Sequence, residues 1–241
     1  MPFMPLKAFF FDAAGTLIET AQPVGESYAL LAQRYGMEVA PGEIGERFQS
    51  CFSSAPPLAF PGAPAEQLQG LERGWWKNLV SRIYEPYGPF DHFDDYFSEL
   101  FGYFGKADAW SLYPETAEVL SVLKHRGFIL QVISNFDSRL FGILDGLGIA
   151  SGFDSIVISS RAGYAKPAPE IFHAALRLNH LRAAETMHIG DSSDKDAAGA
   201  SAAGLTGVLL DRSGRAGLHS TLRIRNLKEL FSLVDQRSNR D

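Results

Sequence analysis

The chain has 241 residues, of which 46% are hydrophobic and 21% are charged, and its formal net charge is −6. This composition is ordinary for a globular protein, and the length suffices to bury a core without disulfides or a structural metal. The acidic balance, without basic stripes or Lys/Arg blocks, argues against a nucleic-acid partner and against an anionic membrane surface.

Cysteine content and hydropathy address the cellular setting. Cys51 is the only cysteine, so no intramolecular disulfide can form. No apolar run reaches the roughly 18 residues needed to span a bilayer, and the first residues lack the pattern of a signal peptide. We therefore expect a cytoplasmic protein without a membrane partner.

Short apolar runs alternate with helical patterns at the start of the chain and again after about residue 107. The runs cover residues 6–12, 128–134, 153–159, 186–191 and 206–210. Such alternation predicts an α/β fold, in which a Rossmann-like, mostly parallel sheet is covered by helices on both faces.

A different pattern occupies the residues between the first two runs. Four segments have apolar residues at helical spacing, and Pro/Gly-rich breaks at 53–64 and 85–90 separate them. We predict a helical-bundle cap domain over residues 18–106, inserted into an α/β core formed by residues 1–17 and 107–241.

Several apolar runs end in a polar side chain. Asp12, Ser134 and Asp191 each close a predicted strand. Ligands of open α/β sheets bind beyond the carboxyl ends of the strands, so these three residues should converge. Lys166 and Asp196 follow in nearby predicted loops. Each residue alone also fits a cap, a turn or a solvated position, and their order along one sheet is the more specific observation.

Four short motifs together resemble those of the haloacid dehalogenase-like (HAD) superfamily. They are D-x-x-G-T-L from Asp12, S-N at Ser134–Asn135, K-P at Lys166, and G-D-x-x-x-x-D at residues 190–196. The resemblance spans essentially the whole chain. The predicted helical insertion after the first motif is similar to the cap of the phosphatase-like subfamily.

The resemblance implies a role for each motif in phosphoryl transfer. Asp12 would be the nucleophile that forms an aspartyl-phosphate, and Lys166 would place a positive charge on the nucleophile and the transferring oxygens. Ser134, with backbone N–H groups near Asn135, would donate hydrogen bonds to the phosphoryl oxygens. The implied partner is a small phosphorylated molecule. The sequence specifies neither the identity of that molecule nor the oligomeric state of the protein.

The resemblance also implies Mg²⁺ as the cofactor. Its ligands would be the carboxylates of Asp12 and Asp191 and the backbone carbonyl of Ala14, with Asp196 acting through a bound water. The cation would offset the repulsion between a carboxylate nucleophile and a negatively charged phosphoryl group.

Ala14 departs from the phosphatase pattern. Phosphatases of the superfamily usually have an aspartate here, which protonates the leaving alkoxide and then activates water. General acid–base catalysis contributes about 10²–10⁴-fold, so we expect weak activity on alkyl phosphates and a milder loss on acidic phenols or acyl phosphates. Glu19 is the nearest carboxylate that could replace the acid, and it equally fits a solvated surface position.

Three alternatives stay open. 2-Haloacid dehalogenases also read D-A-x-G-T-L and act at carbon, but they need no Mg²⁺ and typically replace the first aspartate of G-D, which is intact here as Asp191. Phosphonoacetaldehyde hydrolases form a Schiff base on a cap lysine, and Lys77 is the only lysine between residues 18 and 105. The third alternative is a catalytically weak protein that binds a ligand in its cleft.

Overall fold

The computed structural model describes residues 5–214 and 222–238. Its strands are β1 (Ala8–Phe11), β2 (Ile18–Thr20), β3 (Trp110–Leu112), β4 (Ile129–Ser134), β5 (Ser155–Ile158), β6 (Thr186–Gly190), β7 (Thr206–Leu210) and β8 (Leu222–Ile224). Its helices are α1 (Val24–Gln33), α2 (Pro41–Ser53), α3 (Ala65–Tyr84), α4 (Phe93–Tyr103), α5 (Thr116–His125), α6 (Arg139–Gly146), α7 (Ser159–Ala162), α8 (Pro169–Leu178), α9 (Gly199–Ala202) and α10 (Glu229–Ser238).

The main sheet has six strands in the order β5-β4-β1-β6-β7-β8, and all of its pairings are parallel. The chain adds β4 and β5 on one side of β1 and then crosses over to place β6 on the other side. The carboxyl end of β1 is therefore the topological switch point, where open α/β sheets form their ligand crevice. The predicted α/β fold with a mostly parallel sheet is confirmed.

Strand β1 is apolar on both faces because helices cover both sides of the sheet. Phe9 and Phe11 pack into a core shared with α5, α6 and α10. Ala8 and Phe10 face the opposite core, which α8 and α9 complete. All four residues are fully buried, and each buried Phe side chain contributes about 1.5–3 kcal/mol to folding. This burial anchors the strand that carries the first motif.

Helices α1 to α4 form a separate layer with an apolar core of their own. That core is rich in aromatic side chains, with Tyr96 and Phe97 almost completely buried at its centre. The four helices predicted between the first two motifs are all present. The boundaries of the predicted cap, 18–106, stay a prediction, and the chain enters and leaves the helical layer beside a small antiparallel ribbon of β2 and β3.

Three strands were not predicted from the sequence. β2, β3 and β8 have three residues each, which is too short for the two-residue alternation to stand out. β2 and β3 form only because the two connections to the helical layer run side by side. Among the described residues, none of the helices has both the length and the apolar character that a membrane crossing requires.

Candidate active site

The loop after β1 holds Asp12 in a fixed position. The backbone N–H of Asp12 donates to the carbonyl of Ile189 on β6 (2.9 Å), and the carbonyl of Ala13 accepts from Leu17 N–H (2.8 Å). Gly15 has φ +86°, and a Cβ there would lie 2.5 Å from Oδ2 of Asp191. Glycine is therefore required, because it gives both the left-handed backbone and the space for the second carboxylate.

Lys166 lies between two carboxylates. Its Nζ is 2.8 Å from Asp12 Oδ1 and 2.5 Å from Asp196 Oδ1, and all three side chains are buried. Burial opposes the charged form of Lys166, but the two neighbouring carboxylates raise its pKa above the usual value. The ammonium is therefore charged, and it contacts one carboxylate oxygen of Asp12 directly.

Asn135 positions the lysine through its side chain. Its amide Nδ2–H donates to the carbonyl of Lys166 (2.9 Å), and its Oδ1 accepts from the N–H of Lys166 (2.7 Å). The neighbouring Ser134 is buried and lines the same cavity, and none of the described residues gives its hydroxyl a hydrogen bond. Ser134 thus keeps its donor available for a ligand, while the Asn135 side chain is already occupied.

Asp196 is held on both carboxylate oxygens. Oδ1 contacts Lys166 and accepts from Nε2 of His188 (2.9 Å), and Oδ2 accepts from the N–H of Ser192 (3.0 Å). Burial opposes ionisation, but the Lys166 charge and the His188 hydrogen bond hold the pKa of Asp196 well below its usual range. A Cβ on Gly190 would lie 2.1 Å from Cγ of Asp196, so the glycine of the G-D pair makes room for this carboxylate.

Asp12, Asp191 and Asp196 form an acidic cluster whose ligand atoms lie within 4.8 Å of one another. Asp191 keeps solvent access, but desolvation by the surrounding cavity, followed by the negative charges of Asp12 and Asp196, raises its pKa to about 6. A divalent cation would relieve this repulsion, and hard carboxylate oxygens are the ligands Mg²⁺ prefers. The residues present therefore fit a Mg²⁺ site, with Asp196 better placed to act indirectly because its oxygens already have partners.

A cavity of about 650 Å³ opens over these groups and extends into the helical layer. Every site residue predicted from the sequence lines it: Asp12, Ala14, Ser134, Asn135, Lys166, Asp191 and Asp196. The roles of these residues stay predictions. The structure brings their side chains or backbone to one end of one cavity, as the strand-end argument requires.

The opposite side of the cavity consists of aromatic side chains from the helical layer. We call this surface the aromatic wall, and it comprises Phe48, Phe52, Trp76, Phe97, Phe101 and Phe104. Phe52 stacks on Phe48 (5.4 Å between ring centroids) and on Trp76 (6.0 Å), and Phe97 lies 5.7 Å from Phe101. Phe52 nevertheless leaves 38% of its surface exposed.

Hydrogen bonds hold the helical layer against the sheet. Glu72 of α3 is buried, and its Oε1 accepts from the N–H (3.1 Å) and hydroxyl (2.8 Å) of Ser138 and from the hydroxyl of Ser160 (2.6 Å). Four residues further along α3, the Nε1–H of Trp76 donates to Oδ2 of Asp137 (2.6 Å). The wall is thereby fixed relative to Asp12.

Sequence reasoning missed several of these supporting residues. His188 is recognisable as a polar side chain within a fully buried strand, but Glu72 and Asp137 give no local signal.

Glu19 lines the cavity and is exposed, and it hydrogen-bonds to Tyr113. Lys77 does not line the cavity, and its Nζ pairs instead with Asp94 (2.7 Å).

Comparison with known proteins identifies the family. A family model described as haloacid dehalogenase-like hydrolase matches residues 6–204. The chain belongs to this family. The resemblance drawn from the four motifs is therefore confirmed, and the HAD-like fold positions those motifs as described above.

The sequence of this HAD-like hydrolase is similar to those of proteins with different names. Haloacid dehalogenase-like hydrolase domain-containing protein 3 from Bos taurus is 33% identical over 214 residues, covering 86% of this chain and 82% of the relative. Phosphoserine phosphatase from Thermus thermophilus is 26% identical over 252 residues, covering 94% and 98%.

Solved structures share the fold of this HAD-like hydrolase. The HAD-hydrolase YfnB from Bacillus subtilis, solved with magnesium bound, superposes with a TM-score of 0.75 at 19% identity, covering 96% of this chain and 100% of YfnB. Structures of 2-haloacid dehalogenases also match, at 16% to 23% identity. Because phosphatases and dehalogenases have this fold in common, the choice between them depends on the site.

Proposed function

We propose that this HAD-like hydrolase cleaves a small phosphate ester or acyl phosphate, with Mg²⁺, through an aspartyl-phosphate on Asp12. The observation that carries the proposal is the arrangement of Asp12, Lys166 and Asp191 at one end of a single cavity. A charged lysine on the nucleophile, and a cluster whose three carboxylates outnumber that single lysine, suit a ligand that brings a phosphate and a divalent cation together.

Asp12 would attack phosphorus through the carboxylate oxygen that faces the cavity. Lys166 orients this carboxylate and offsets negative charge on the transferring oxygens, and Asn135 keeps the lysine in place by bonding its backbone. Ser134 offers a free hydroxyl donor to a phosphoryl oxygen. Mg²⁺, bound by Asp12, Asp191 and the carbonyl of Ala14, would supply charge neutralisation between nucleophile and phosphate.

Residue 14 cannot act as an acid or a base in either step, neither when the leaving group departs nor when water attacks the aspartyl-phosphate. Ala14 lines the cavity and has no exchangeable proton, so the leaving group would depart largely unprotonated unless Glu19, the other carboxylate kept open as an acid, supplies the proton. This restricts efficient turnover to leaving groups that are stable as anions. Esters of simple alcohols would lose most of the roughly 10²–10⁴-fold that a general acid contributes.

Dehalogenation at carbon is the rival activity. It agrees with Ala14, because halide leaves without a proton, but it gives no reason for three clustered carboxylates with a raised pKa at Asp191. The phosphonatase alternative needs a lysine amine in the cavity. Lys77 is instead paired with Asp94 outside the residues that line it, which argues against a Schiff base there.

The first test compares hydrolysis of 4-nitrophenyl phosphate and an alkyl phosphate, each with Mg²⁺ or EDTA, in the wild-type protein and in Asp12→Asn. We expect turnover of the aryl ester, at least about 100-fold slower turnover of the alkyl ester, and loss of both in EDTA or in the variant. Halide release from 2-chloropropionate, measured in parallel, distinguishes the rival. Asp12-dependent halide release with no phosphate release would overturn the proposal, and ligand binding without turnover of any substrate would indicate a binding protein.

A further inference from the structure

The side of the cavity formed by the helical layer, where the leaving group of a substrate would lie, differs in chemistry from the side that holds Asp12. The aromatic wall lies there, and Val80 and Leu100 also line the cavity. Phe52 lines the cavity and is 38% exposed. An apolar cavity lining of this kind favours the binding of an apolar group, because contact between apolar side chains and water is unfavourable.

The cavity provides no spare positive charge on that side. Within the described residues three cations line it, of which Lys166 is paired with the carboxylates and Lys195 is exposed in the segment that follows β6. Arg139 is nearest the wall, and its Nε and Nη2 donate to Asp137 (2.8 and 2.7 Å) while its Nη1 donates to the carbonyl of Phe101 (3.0 Å). A second acid group placed against the wall would therefore meet no unpaired cation there.

We infer that the substrate is an aryl phosphate, the phosphate monoester of an aromatic alcohol, whose ring binds against the aromatic wall. Two independent observations meet in this inference, which rests on the proposed function. Ala14 leaves the site without the usual acid, and the wall favours a flat apolar leaving group. Rings interact with rings through offset and edge-on contacts that saturated or hydrated groups cannot reproduce.

The reaction balances without an acid at position 14. The Asp12 carboxylate oxygen forms a bond to phosphorus, and the bond from phosphorus to the aryl oxygen breaks. Its electron pair stays on the aryl oxygen as a phenolate, which is stable because phenols have a pKa of about 10. Solvent protonates the phenolate after release. Water then attacks the aspartyl-phosphate, which releases inorganic phosphate and restores Asp12.

Matched substrates test the preference. Phenyl and cyclohexyl phosphate have the same carbon number and differ in flatness and in the acidity of the leaving group, while 2-hydroxyethyl phosphate is small and polar. With Mg²⁺ present, kcat/KM for phenyl phosphate should exceed that for either alkyl ester by about 100-fold or more, and 1-naphthyl phosphate should be at least as good as phenyl phosphate.

A binding measurement with uncleavable ligands separates the contribution of the aromatic wall from the effect of the missing general acid. Benzylphosphonate and cyclohexylmethylphosphonate have non-ester C–P bonds, and calorimetry on the wild-type protein with Mg²⁺ gives their dissociation constants. The aromatic ligand should bind about tenfold more tightly and should quench tryptophan fluorescence, because Trp76 lines the cavity.

A pair of variants locates the effect. Phe48→Leu removes one ring of the wall, whereas Phe93→Leu removes a partly buried ring of the same helical layer that does not line the cavity. The ratio of kcat/KM for 1-naphthyl phosphate to that for 2-hydroxyethyl phosphate should fall about tenfold in the first variant and stay unchanged in the second. Thermal unfolding of both variants checks that they fold.

The possible failures are distinguishable. Absence of Asp12-dependent phosphate release from every ester overturns the proposed function. Asp12-dependent turnover with equal rates for phenyl and alkyl esters, or equal affinity for the two phosphonates, overturns the aryl-phosphate inference and leaves the proposed function standing. An unchanged substrate ratio in Phe48→Leu also refutes the placement of the ring against the wall.

Discussion

Replacing Ala14 with aspartate puts a carboxyl group at the position where phosphatases of this family carry their general acid. Ala14 lines the cavity next to Asp12, and its backbone would still offer a carbonyl to a cation. If the lack of a proton donor limits the hydrolysis of alkyl phosphates, Ala14→Asp should accelerate that hydrolysis selectively. Aryl phosphates, whose leaving groups do not need the proton, should change by less than about threefold.

The size of the gain follows from the surroundings of residue 14. General acid catalysis contributes about 10²–10⁴-fold. The neighbouring carboxylates already help to raise the pKa of Asp191 to about 6, and a further carboxyl beside Asp12 would experience the same repulsion. Mg²⁺ bound in the assay would offset part of this repulsion, so only a fraction of the new group would carry a proton and the gain should lie at the lower end of that range. We therefore expect about 100-fold in kcat/KM for an alkyl phosphate.

The assay measures phosphate release from cyclohexyl and phenyl phosphate with Mg²⁺ between pH 5.5 and 8. Ala14→Asn is the matched control, because it has nearly the same size and no acidic proton. A gain of the same size in Ala14→Asn, or an equal gain on both esters, would refute the reasoning. So would unchanged alkyl turnover in a variant that folds and binds Mg²⁺ like the wild type.

Three further predictions concern Lys166, Asp191 and Glu72. Lys166→Met should lower the free energy of unfolding by about 3–5 kcal/mol, because removing the cation leaves buried carboxylates uncompensated, and a loss below about 1 kcal/mol in urea unfolding would contradict this. Since the pKa of Asp191 is raised to about 6, protons should compete with Mg²⁺ below that pH, so the Mg²⁺ dissociation constant should rise as the pH falls from 6 to 5. Calorimetry should show about a fivefold rise over that pH unit and little change between pH 7 and 8, whereas equal affinity at pH 5 and 8 would exclude Asp191 as a ligand. Glu72→Ala should lower stability by about 1–3 kcal/mol in thermal or urea unfolding, because three donors lose their acceptor, while Glu72→Gln, which keeps one oxygen, should cost less; equal losses would place the effect elsewhere.

The fold and the residues of the site were largely predictable because both are encoded locally. The five apolar runs became strands of the parallel sheet, and residues 206–210 matched strand β7 to the residue. The carboxyl ends of parallel strands lie at one edge of a sheet, so the sequence alone predicts that Asp12, Ser134 and Asp191 lie close together. Ala14 likewise stood out because a motif fixes its position relative to Asp12.

The sequence by itself determined the α/β class, the helical layer and the residues that line one end of the cavity, since periodicity and motif spacing act over a few residues. Only the tertiary structure decided what supports them. Glu72 meets Ser160 across 88 positions of chain, and Trp76 meets Asp137 across 61. The ribbon of β2 and β3, the engagement of Asp196 by His188 and the aromatic wall arise in the same way. Such contacts depend on how packed elements meet, and no local pattern specifies them.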